Sequence, residues 1–403
     1  MEERGSFFMN KLSIDKVDLK GKRVFIRVDF NVPVEDGKVT DATRIEAAIP
    51  TIKYAAEAGA KVIIASHMGR PRGKPNPDYS LRQVIDTFSA LLGKPVSFAD
   101  DCVGEAAEEA VAALGEGDVL LLENLRFHAE EEKNDEDFSR ALSALADVYI
   151  NDAFGTAHRA HASTEGITRF VQPAAAGFLL EREIDAFNRT LRSPERPLAA
   201  VLGGAKVSSK LDALDHLVDK CDIMVIGGAM AFTFLKALGF EVGKNILEEE
   251  MIGRVTEIMA KARRKGVKFY LPVDFLVSDS FEDDAKTDLV TRQDLPDDEY
   301  APDIGPATIA LYRLALKPAR TIIWNGPMGV FEKAPFAAGT MAIAHALADS
   351  GAFTVVGGGD SVTAVNKACL ADKMGYISTG GGAFLELMEG KELPGLAALT
   401  DAE

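Results

Sequence analysis

The chain has 403 residues, of which 47% are hydrophobic and 27% are charged, and its formal net charge is −17 at pH 7. This composition is typical of a soluble globular protein, and the length exceeds the ~250–300 residues at which a single core stops growing, so two domains are expected. The negative charge argues against general binding to nucleic acid or to a membrane surface. No apolar run approaches the ~18 residues that a membrane-spanning helix requires.

The N-terminal stretch MEERGSFFMNK lacks the hydrophobic region of a signal peptide, and Met9 is an alternative start. The sequence leaves open whether residues 1–8 belong to the native chain. Three cysteines, Cys102, Cys221 and Cys369, are scattered and have no metal-ligand spacing. They fit a reducing cytosol and small core positions better than a set of disulfides, so we expect a cytoplasmic protein.

The first half of the chain alternates predicted strands with predicted helices. Strands are predicted at residues 23–28, 62–65, 119–122 and 148–150. Helices are predicted at residues 43–58 with a kink at Pro50, at 80–92 with Ser80 as the cap, and at 135–146. Continuous apolar strands that alternate with helices indicate a parallel sheet covered on both faces.

Polar and basic side chains follow each of these strands. The loops carry Asp29 and Asn31, His67 and Arg70, Arg126 and His128, then His158, Arg159 and His161, while Arg44 opens the first helix. Ligands of open parallel sheets bind beyond the carboxyl ends of the strands, and the planar arginine fork suits carboxylates and phosphates. The pattern predicts a small-anion site, although surface charge placed by chance is the alternative.

Other first-half side chains indicate no chemistry. The acidic runs at residues 130–132 and 135–137 are predicted to form a solvated face. Phe30 and Met68 are predicted to serve packing.

The run VLGGAKVSSK, residues 201–210, joins a predicted strand at 197–202 to a predicted helix. The pair Gly203-Gly204 permits a sharp turn, and a following helix start would aim unpaired N–H groups at a phosphate. On a helix Lys206 and Lys210, four residues apart, would share one face. The run therefore indicates either a polyphosphate-binding site or an ordinary turn followed by a solvated lysine face. Its spacing is not that of a Walker A loop.

A linker helix is predicted at residues 179–191. After it, the second half repeats one pattern, a buried strand followed by a glycine turn and the start of a helix. Predicted strands at 222–226, 321–324, 353–356 and 376–378 each lead into glycines. Asp360, directly after three glycines, suits either a magnesium ion or a helix N-cap, and Glu332 suits ribose hydroxyls or solvent. Residues 303–306 are predicted as a turn into a helix. No GxGxxG occurs, which disfavours a dinucleotide fold.

Eight runs in order make the chain resemble the phosphoglycerate kinase family over nearly its whole length. They are RVDFNVP (27–33), SHMGRP (66–71), ENLRFH (123–128), NDAFGTAHRAH (151–161), GGAKVSSK (203–210), WNGPMGVFE (324–332), GGGDS (357–361) and STGGGA (378–383). The resemblance implies an α/β protein of two lobes, each a parallel sheet with helices on both faces in a Rossmann-like three-layer α/β/α arrangement. A helical hinge would join them.

The resemblance also implies a division of labour. Residues 1–178 would form the 3-phosphoglycerate lobe, residues 179–197 the hinge, and residues 198–385 the nucleotide lobe, with residues 386–403 packed back on the first lobe. Small molecules would be the only partners, namely 3-phosphoglycerate, 1,3-bisphosphoglycerate and ATP or ADP with Mg²⁺, and a monomer is expected.

Site residues are carried over by motif position. The substrate residues would be Asp29, Phe30, Asn31, Arg44, His67, Met68, Gly69, Arg70, Arg126 and Arg159. The nucleotide residues would be Gly203, Lys206, Lys210, Gly227, Gly228, Gly305, Asn325, Pro327, Glu332, Gly357, Gly358, Gly359, Asp360 and Ser361, with Asp360 as the magnesium ligand. The catalytic residues would be Arg44, Lys206, Gly381 and Gly382, where Lys206 holds the moving phosphoryl group and Lys210 the nucleotide phosphates.

The implied reaction is reversible in-line transfer between Mg-ATP and the carboxylate of 3-phosphoglycerate, a glycolytic step. Such transfer depends on positioning and on charge neutralisation, and the implied closure of the lobes would bend the chain around residues 179–197. Two other classes were weighed. A two-lobed protein that closes on an anion without chemistry is disfavoured by the two separate ligand sites, and an NAD-linked oxidoreductase is disfavoured by the missing GxGxxG.

Overall fold

The computed structural model describes residues 10–402, so the alternative start at Met9 and the extension before it lie outside the described residues. The strands are β1 Arg23–Val28, β2 Val34–Glu35, β3 Lys38–Val39, β4 Lys61–Ala65, β5 Ser97–Ala99, β6 Val119–Leu122, β7 Val148–Asp152, β8 Ala174–Ala176, β9 Leu198–Leu202, β10 Ile223–Ile226, β11 Lys268–Tyr270, β12 Asp274–Ser278, β13 Asp288–Thr291, β14 Tyr300–Ile304, β15 Thr321–Asn325, β16 Phe353–Gly357 and β17 Tyr376–Ile377. The helices are α1 Thr43–Glu57, α2 Ile85–Leu92, α3 Gly104–Ala112, α4 Ala129–Glu132, α5 Glu136–Ala144, α6 Phe178–Phe187, α7 Leu211–Val218, α8 Met230–Ala237, α9 Ile252–Lys265, α10 Pro306–Leu316, α11 Ala338–Ala348, α12 Gly359–Lys367, α13 Gly382–Met388 and α14 Pro394–Ala397.

The chain forms two compact units. The first unit runs to Asp185 and also contains the chain from Glu392 onward, and the second unit is Ala186–Lys391. The division falls inside α6. Among the described helices, none is both long enough and apolar enough to cross a membrane.

The first unit is built on a parallel sheet with the order β5-β6-β4-β1-β7-β8. Its central strands are buried almost throughout, as expected when helices cover both faces. The strands predicted from apolar runs are confirmed to within two residues. The structure adds β5, β8 and the β2–β3 hairpin, which are too short to stand out in the sequence.

The chain from Glu392 onward completes this unit. Leu12 N donates to Thr400 O at 2.8 Å, and Thr400 N donates to Ala174 O at 2.9 Å, so this segment packs beside β8. Deeper in the unit, the Asn151 side chain donates to Gly395 O at 3.1 Å. These contacts close the edge of the first sheet.

The second unit has a parallel sheet with the order β11-β10-β9-β15-β16-β17. Numbered within the sheet this is 3-2-1-4-5-6, the order of doubly wound sheets whose ligands bind where the order reverses. Here the reversal lies between β9 and β15. A separate antiparallel sheet, β13-β12-β14, was not predicted. Its last strand covers residues 300–304, so the turn predicted at 303–306 is wrong for residues 303 and 304. Gly305 does precede a helix, α10, as predicted.

Two predicted helices are only partly α-helical. Ser80 does act as a cap, but it opens a 3₁₀ turn at Leu81–Val84, and the α-helix begins at Ile85. The predicted helix at 179–191 ends its α-helical part at Phe187 and continues as a π-helical turn, Asn188–Arg192. In that turn the Thr190 hydroxyl donates to the carbonyl of Ala186, and such side-chain bonds distort helices.

Asp152 joins β7 to α6. Its carboxylate is fully buried and accepts from Leu179 N at 2.9 Å and from Leu180 N at 3.2 Å. Burial raises the pKa of Asp152 to about 7, above the value of about 3.9 in an unfolded chain. The folded state therefore binds this proton more tightly than the unfolded chain does. The protonated carboxyl group stabilises the fold below about pH 4, and this stabilisation is lost as the pH rises through about 7.

We therefore expect Asp152→Asn to flatten the fall in unfolding free energy across this pH window. Urea denaturation at several pH values measures it, with the exposed Asp137→Asn as the control. A slope equal to that of the unchanged protein would contradict the assignment.

Candidate functional site

The first cluster of polar side chains lies at the carboxyl edge of the first sheet. Strands β6, β4, β1 and β7 are adjacent and parallel, so the loops that follow them meet at one edge. The structure thus brings together the loops that the sequence singled out.

Asp29, Asn31 and Arg44 form the outer part of this cluster. Arg44 Nη1 donates to Asp29 Oδ2 at 3.0 Å and to Asn31 O at 3.2 Å. The Arg44 side chain is 43% exposed. The rest of its guanidinium is therefore open to an anion from solvent.

Gly69 connects the outer residues to Arg126. Its N–H donates to Asn31 Oδ1 at 2.9 Å, and its carbonyl accepts from Arg126 Nη1 at 2.9 Å. A Cβ on Gly69 would lie 2.3 Å from the Tyr79 ring, and φ is +59°, so only glycine fits here. The Arg126 side chain is only 5% exposed, and its Nε makes no hydrogen bond to a described residue, although Glu132 Oε1 lies 3.6 Å from it as an ion-pair partner. A buried donor without an acceptor favours an anionic ligand.

Two buried histidines in this cluster are held neutral. Burial, together with the nearby Arg27 and Arg126, keeps the pKa of His67 well below its usual range. Burial and the same two arginines lower the pKa of His161 to about 3. These two histidines therefore add no positive charge to the site near pH 7, where arginine supplies it.

A buried polar network under the site was missed by the sequence. Arg27 is fully buried in β1, where Nε donates to Ser163 Oγ at 2.8 Å and Nη2 lies 3.3 Å from His67 Nδ1. Ser163 Oγ in turn donates to Glu131 at 2.5 Å, and Ser163 N donates to the other carboxylate oxygen at 2.9 Å. Glu131 is fully buried, so the prediction of a solvated face at 130–132 is wrong for this residue.

The other predicted substrate residues take two kinds of position. Arg70 is exposed and Arg159 is half-buried, and neither guanidinium has a hydrogen bond to a described residue. Phe30 and Met68 are buried, and the Phe30 ring packs edge-on against Phe88 with the centroids 5.0 Å apart. Both are placed as packing residues.

The second cluster lies in the second unit, at the reversal between β9 and β15. Gly203 N donates to Asn325 O at 3.0 Å, and Gly204 N donates to Pro327 O at 3.0 Å. A Cβ on Gly203 would lie 2.0 Å from Pro327 O, and one on Gly228 would lie 2.5 Å from Gly204 N. The glycines thus allow three backbone turns to pack directly against one another.

The Lys210 side chain lies among these glycine turns. Its Nζ donates to Asn325 O at 3.0 Å and to the Asn325 side-chain oxygen. Burial lowers the pKa of Lys210 to about 8, and the Asp360 carboxylate opposes that effect. Lys210 remains mostly protonated at pH 7, so it is a cation inside the site.

Lys206 and Lys210 do not share a helix face, so that prediction is wrong. Lys206 lies in an exposed loop, and Lys210 ends a 3₁₀ turn, Ser208–Lys210, before α7 begins. Glu248 holds the start of this turn, because its carboxylate accepts from Ser208 N at 3.0 Å and from the Ser208 hydroxyl at 2.5 Å. The two lysines therefore act from different local structures.

A cavity of about 480 Å³ opens beside this layer. It has the size of a small-molecule site. Apolar and aromatic residues line most of it, and the antiparallel sheet, which was not predicted, supplies part of the wall. The lining includes Gly204, Gly228, Lys244, Ile246, Phe275, Phe281, Tyr300, Asp303, Pro327, Met328, Glu332 and Asp360.

The remaining predicted nucleotide residues surround the start of α12 or lie apart. Gly358 is the N-cap of α12, Asp360 lies exposed in its first turn, and Ser361 Oγ accepts from Gly326 N at 2.6 Å. Gly357 and Gly227 pack against Phe384 and Met328. Gly305 packs against Asp274 and does not line the cavity. Gly381 and Gly382 are exposed at the start of α13.

Two parallel α/β units are present, one with an arginine-rich cluster at the carboxyl edge of its sheet and the other with a glycine-lined cavity beside the buried Lys210. This combination is that of a phosphotransferase for small anionic molecules. The chain belongs to the phosphoglycerate kinase family, because a sequence model of that family, described as phosphoglycerate kinase, matches residues 14–391.

Solved structures agree with this assignment. The structure of phosphoglycerate kinase from Coxiella burnetii is similar with a TM-score of 0.90 and 42% identity, over 96% of this chain and 98% of that one. The crystal structure of phosphoglycerate kinase from Pyrococcus horikoshii is similar with a TM-score of 0.80 and 36% identity, over 96% of this chain and 98% of that one. The predicted family, fold class and phosphotransferase activity are therefore confirmed, and the purely binding and NAD-linked alternatives are not retained.

Proposed function

We propose that this chain carries out the family's reaction with the two clusters described above. In that reaction 1,3-bisphosphoglycerate and ADP give 3-phosphoglycerate and ATP, reversibly. The main support is the second-unit cavity, which has room for a nucleoside, is lined in part by the exposed carboxylate of Asp360, and lies beside the buried Lys210, a neighbour of the lining residue Gly204.

The first cluster would hold 3-phosphoglycerate. Arg44, Arg126 and the neighbouring Arg70 and Arg159 offer guanidinium forks to its carboxylate and phosphate. Asp29 and Asn31 can exchange hydrogen bonds with its hydroxyl group. The Nε of buried Arg126 supports this role, because it makes no hydrogen bond to a described residue and its ion-pair partner Glu132 is 3.6 Å away, so a bound anion would supply a closer acceptor.

The second cluster would hold ATP or ADP, with the apolar part of the cavity around the base and Lys210 at the phosphates. The exposed carboxylate of Asp360 fits a magnesium ion, which binds readily through one carboxylate and the phosphates of its nucleotide. When bound, magnesium supplies positive charge to the phosphate oxygens.

The chain's own groups would serve transfer by positioning and by neutralising charge. The acceptor carboxylate is already a nucleophile, so no general base is required. Arg44, Lys206 and the amides at Gly381 and Gly382 would stabilise the charge spread over the equatorial phosphoryl oxygens. The bond between the transferred phosphorus and the nucleotide oxygen breaks as the bond to the carboxylate oxygen forms.

Lys210→Ala should raise the KM for nucleotide about 10–100-fold with a smaller change in kcat, because a charged hydrogen bond contributes roughly 1.5–3 kcal/mol. Steady-state kinetics with varied nucleotide measures this, and exposed Lys317→Ala is the control. An unchanged KM would contradict the proposal that Lys210 binds the nucleotide phosphates while Lys206 holds the transferred phosphoryl group.

The proposed function is tested by a coupled assay with ATP, magnesium and 3-phosphoglycerate, in which a dehydrogenase reduces the acyl phosphate and NADH is followed. Magnesium-dependent turnover that disappears in Lys206→Ala is expected. Intact nucleotide binding without turnover would contradict the assigned acceptor.

Three further expectations stay predictions. They are a cytoplasmic location, a monomeric state, and bending around residues 179–197 during turnover.

A further inference from the structure

Asp101, Cys102 and His128 form a compact group in the first unit. One carboxylate oxygen, the thiol sulfur and one ring nitrogen all lie within 4.8 Å of one another. None of the three side chains has a role in the reaction proposed above. No ligand spacing in the sequence indicates this group, because His128 lies far along the chain from the two adjacent residues.

The group is held in place by its surroundings. His128 Nε2 lies 2.7 Å from Asp101 Oδ1, and the same oxygen accepts from Cys102 N at 2.7 Å. The His128 ring packs against Phe138, with the centroids 5.1 Å apart. Ligands whose orientation is fixed in this way lose little conformational freedom when an ion binds.

A cavity of about 650 Å³ leads to this group. Asp101 and His128 line it, whereas Cys102 is fully buried behind them. A substrate cannot reach the buried sulfur, so a nucleophilic role is excluded, whereas an ion that enters from the cavity meets the carboxylate and the imidazole with the sulfur within 4.8 Å of both. The cavity wall also carries Glu123 and Asp100, and Asp100 is paired with Arg82.

The donor set selects the ion. Sulfur and imidazole nitrogen are typical ligands of zinc, which also accepts carboxylate oxygen, whereas magnesium and calcium prefer oxygen alone. A tetrahedral zinc site with bonds of ~2.0–2.3 Å requires its ligand atoms to lie ~3.3–3.6 Å apart. The contact between His128 and Asp101 would therefore open by less than an ångström.

We propose that Asp101, Cys102 and His128 bind one Zn²⁺ ion, with a water molecule from the cavity as the fourth ligand. Binding releases the thiol proton and forms the zinc–sulfur bond, so the apparent affinity rises with pH. No oxidation or reduction takes place.

Cobalt(II) tests the proposal, because cobalt bound to thiolate gives a charge-transfer band in the near ultraviolet. The full chain, stripped with a chelator, is titrated with Co²⁺ and then with Zn²⁺. One equivalent of band-forming Co²⁺, displaced by Zn²⁺, is expected. No band, or a band that appears only with many equivalents, would overturn the site.

Variants assign the ligands. Cys102→Ser should abolish the band, while Cys221→Ser, at a buried thiol of the second unit, and Cys369→Ser, at an exposed thiol, should leave it unchanged. A band that survives Cys102→Ser would place the ion elsewhere and overturn the proposal.

A second experiment does not require a change at the buried Cys102. His128 is partly exposed, so His128→Gln should fold, and it should weaken Zn²⁺ binding at least ~10-fold. Zn²⁺ should raise the Tm of the unchanged chain more than that of this variant. Equal Tm shifts in the two proteins would contradict the assignment.

Discussion

Arg44→Ala is expected to lower kcat about 10²–10⁵-fold, the range seen when one positioned charge is lost from acyl or phosphoryl transfer. In the structure one guanidinium nitrogen of Arg44 is tethered to Asp29 Oδ2 and Asn31 O. The tether fixes the direction of the side chain while nearly half of it stays exposed. A fixed and accessible cation is what a developing negative charge requires.

Single-turnover kinetics, together with steady-state KM values, measures the effect. Arg140→Ala removes an exposed arginine of the same unit, paired with Glu136 at 2.8 Å, and should leave kcat unchanged. Thermal unfolding of Arg44→Ala should shift little, because an exposed ion pair contributes at most about 1 kcal/mol. A kcat near that of the unchanged enzyme would remove Arg44 from the transfer step.

Arg27→Met should lower the free energy of unfolding by about 3–5 kcal/mol, the cost of breaking a buried charge pair by removing one partner. Arg27 and Glu131 are both fully buried and are linked through Ser163 Oγ, which accepts from one and donates to the other. With methionine at position 27, the Glu131 carboxylate loses its cation and Ser163 loses a donor.

A double-mutant cycle separates this pairing from simple loss of packing. Urea unfolding of Arg27→Met, Glu131→Gln and the double variant gives the coupling free energy. The double variant should be less destabilised than the sum of the two single changes, since glutamine is neutral. Strict additivity would show that the two charges do not stabilise each other through Ser163.

The sequence predicts the parallel sheets well because their strands are continuous apolar runs bounded by helices. It also predicts that the polar loops of the first unit meet, since parallel strands bring their following loops to one edge. The sequence does carry a signal for the buried Arg27, because an arginine inside the apolar run RVFIRV must find a polar partner. No such signal exists for Glu131. It lies between two exposed glutamates, Glu130 and Glu132, and the sequence alone does not distinguish it from them.

Other features depend on contacts distant in sequence. The turn before α7 begins at Ser208, whose partner Glu248 lies 40 residues away, so local spacing could not exclude a helix through Lys206. The antiparallel sheet was missed because β13 is largely exposed and lacks an apolar run. Its strands nevertheless supply Phe275 and Tyr300 to the cavity wall, so the shape of this cavity was not predictable from the glycine turns alone.

The return of the chain to its first unit has a consequence for synthesis on the ribosome. The acceptor for Leu12 N is the carbonyl of Thr400, and the acceptor for the Asn151 side chain is the carbonyl of Gly395. Domains generally fold as they emerge, the N-terminal one first. This unit cannot do so fully, because these contacts are missing until residues 392–402 have left the exit tunnel. The second unit, whose residues are contiguous, is then the first to finish folding.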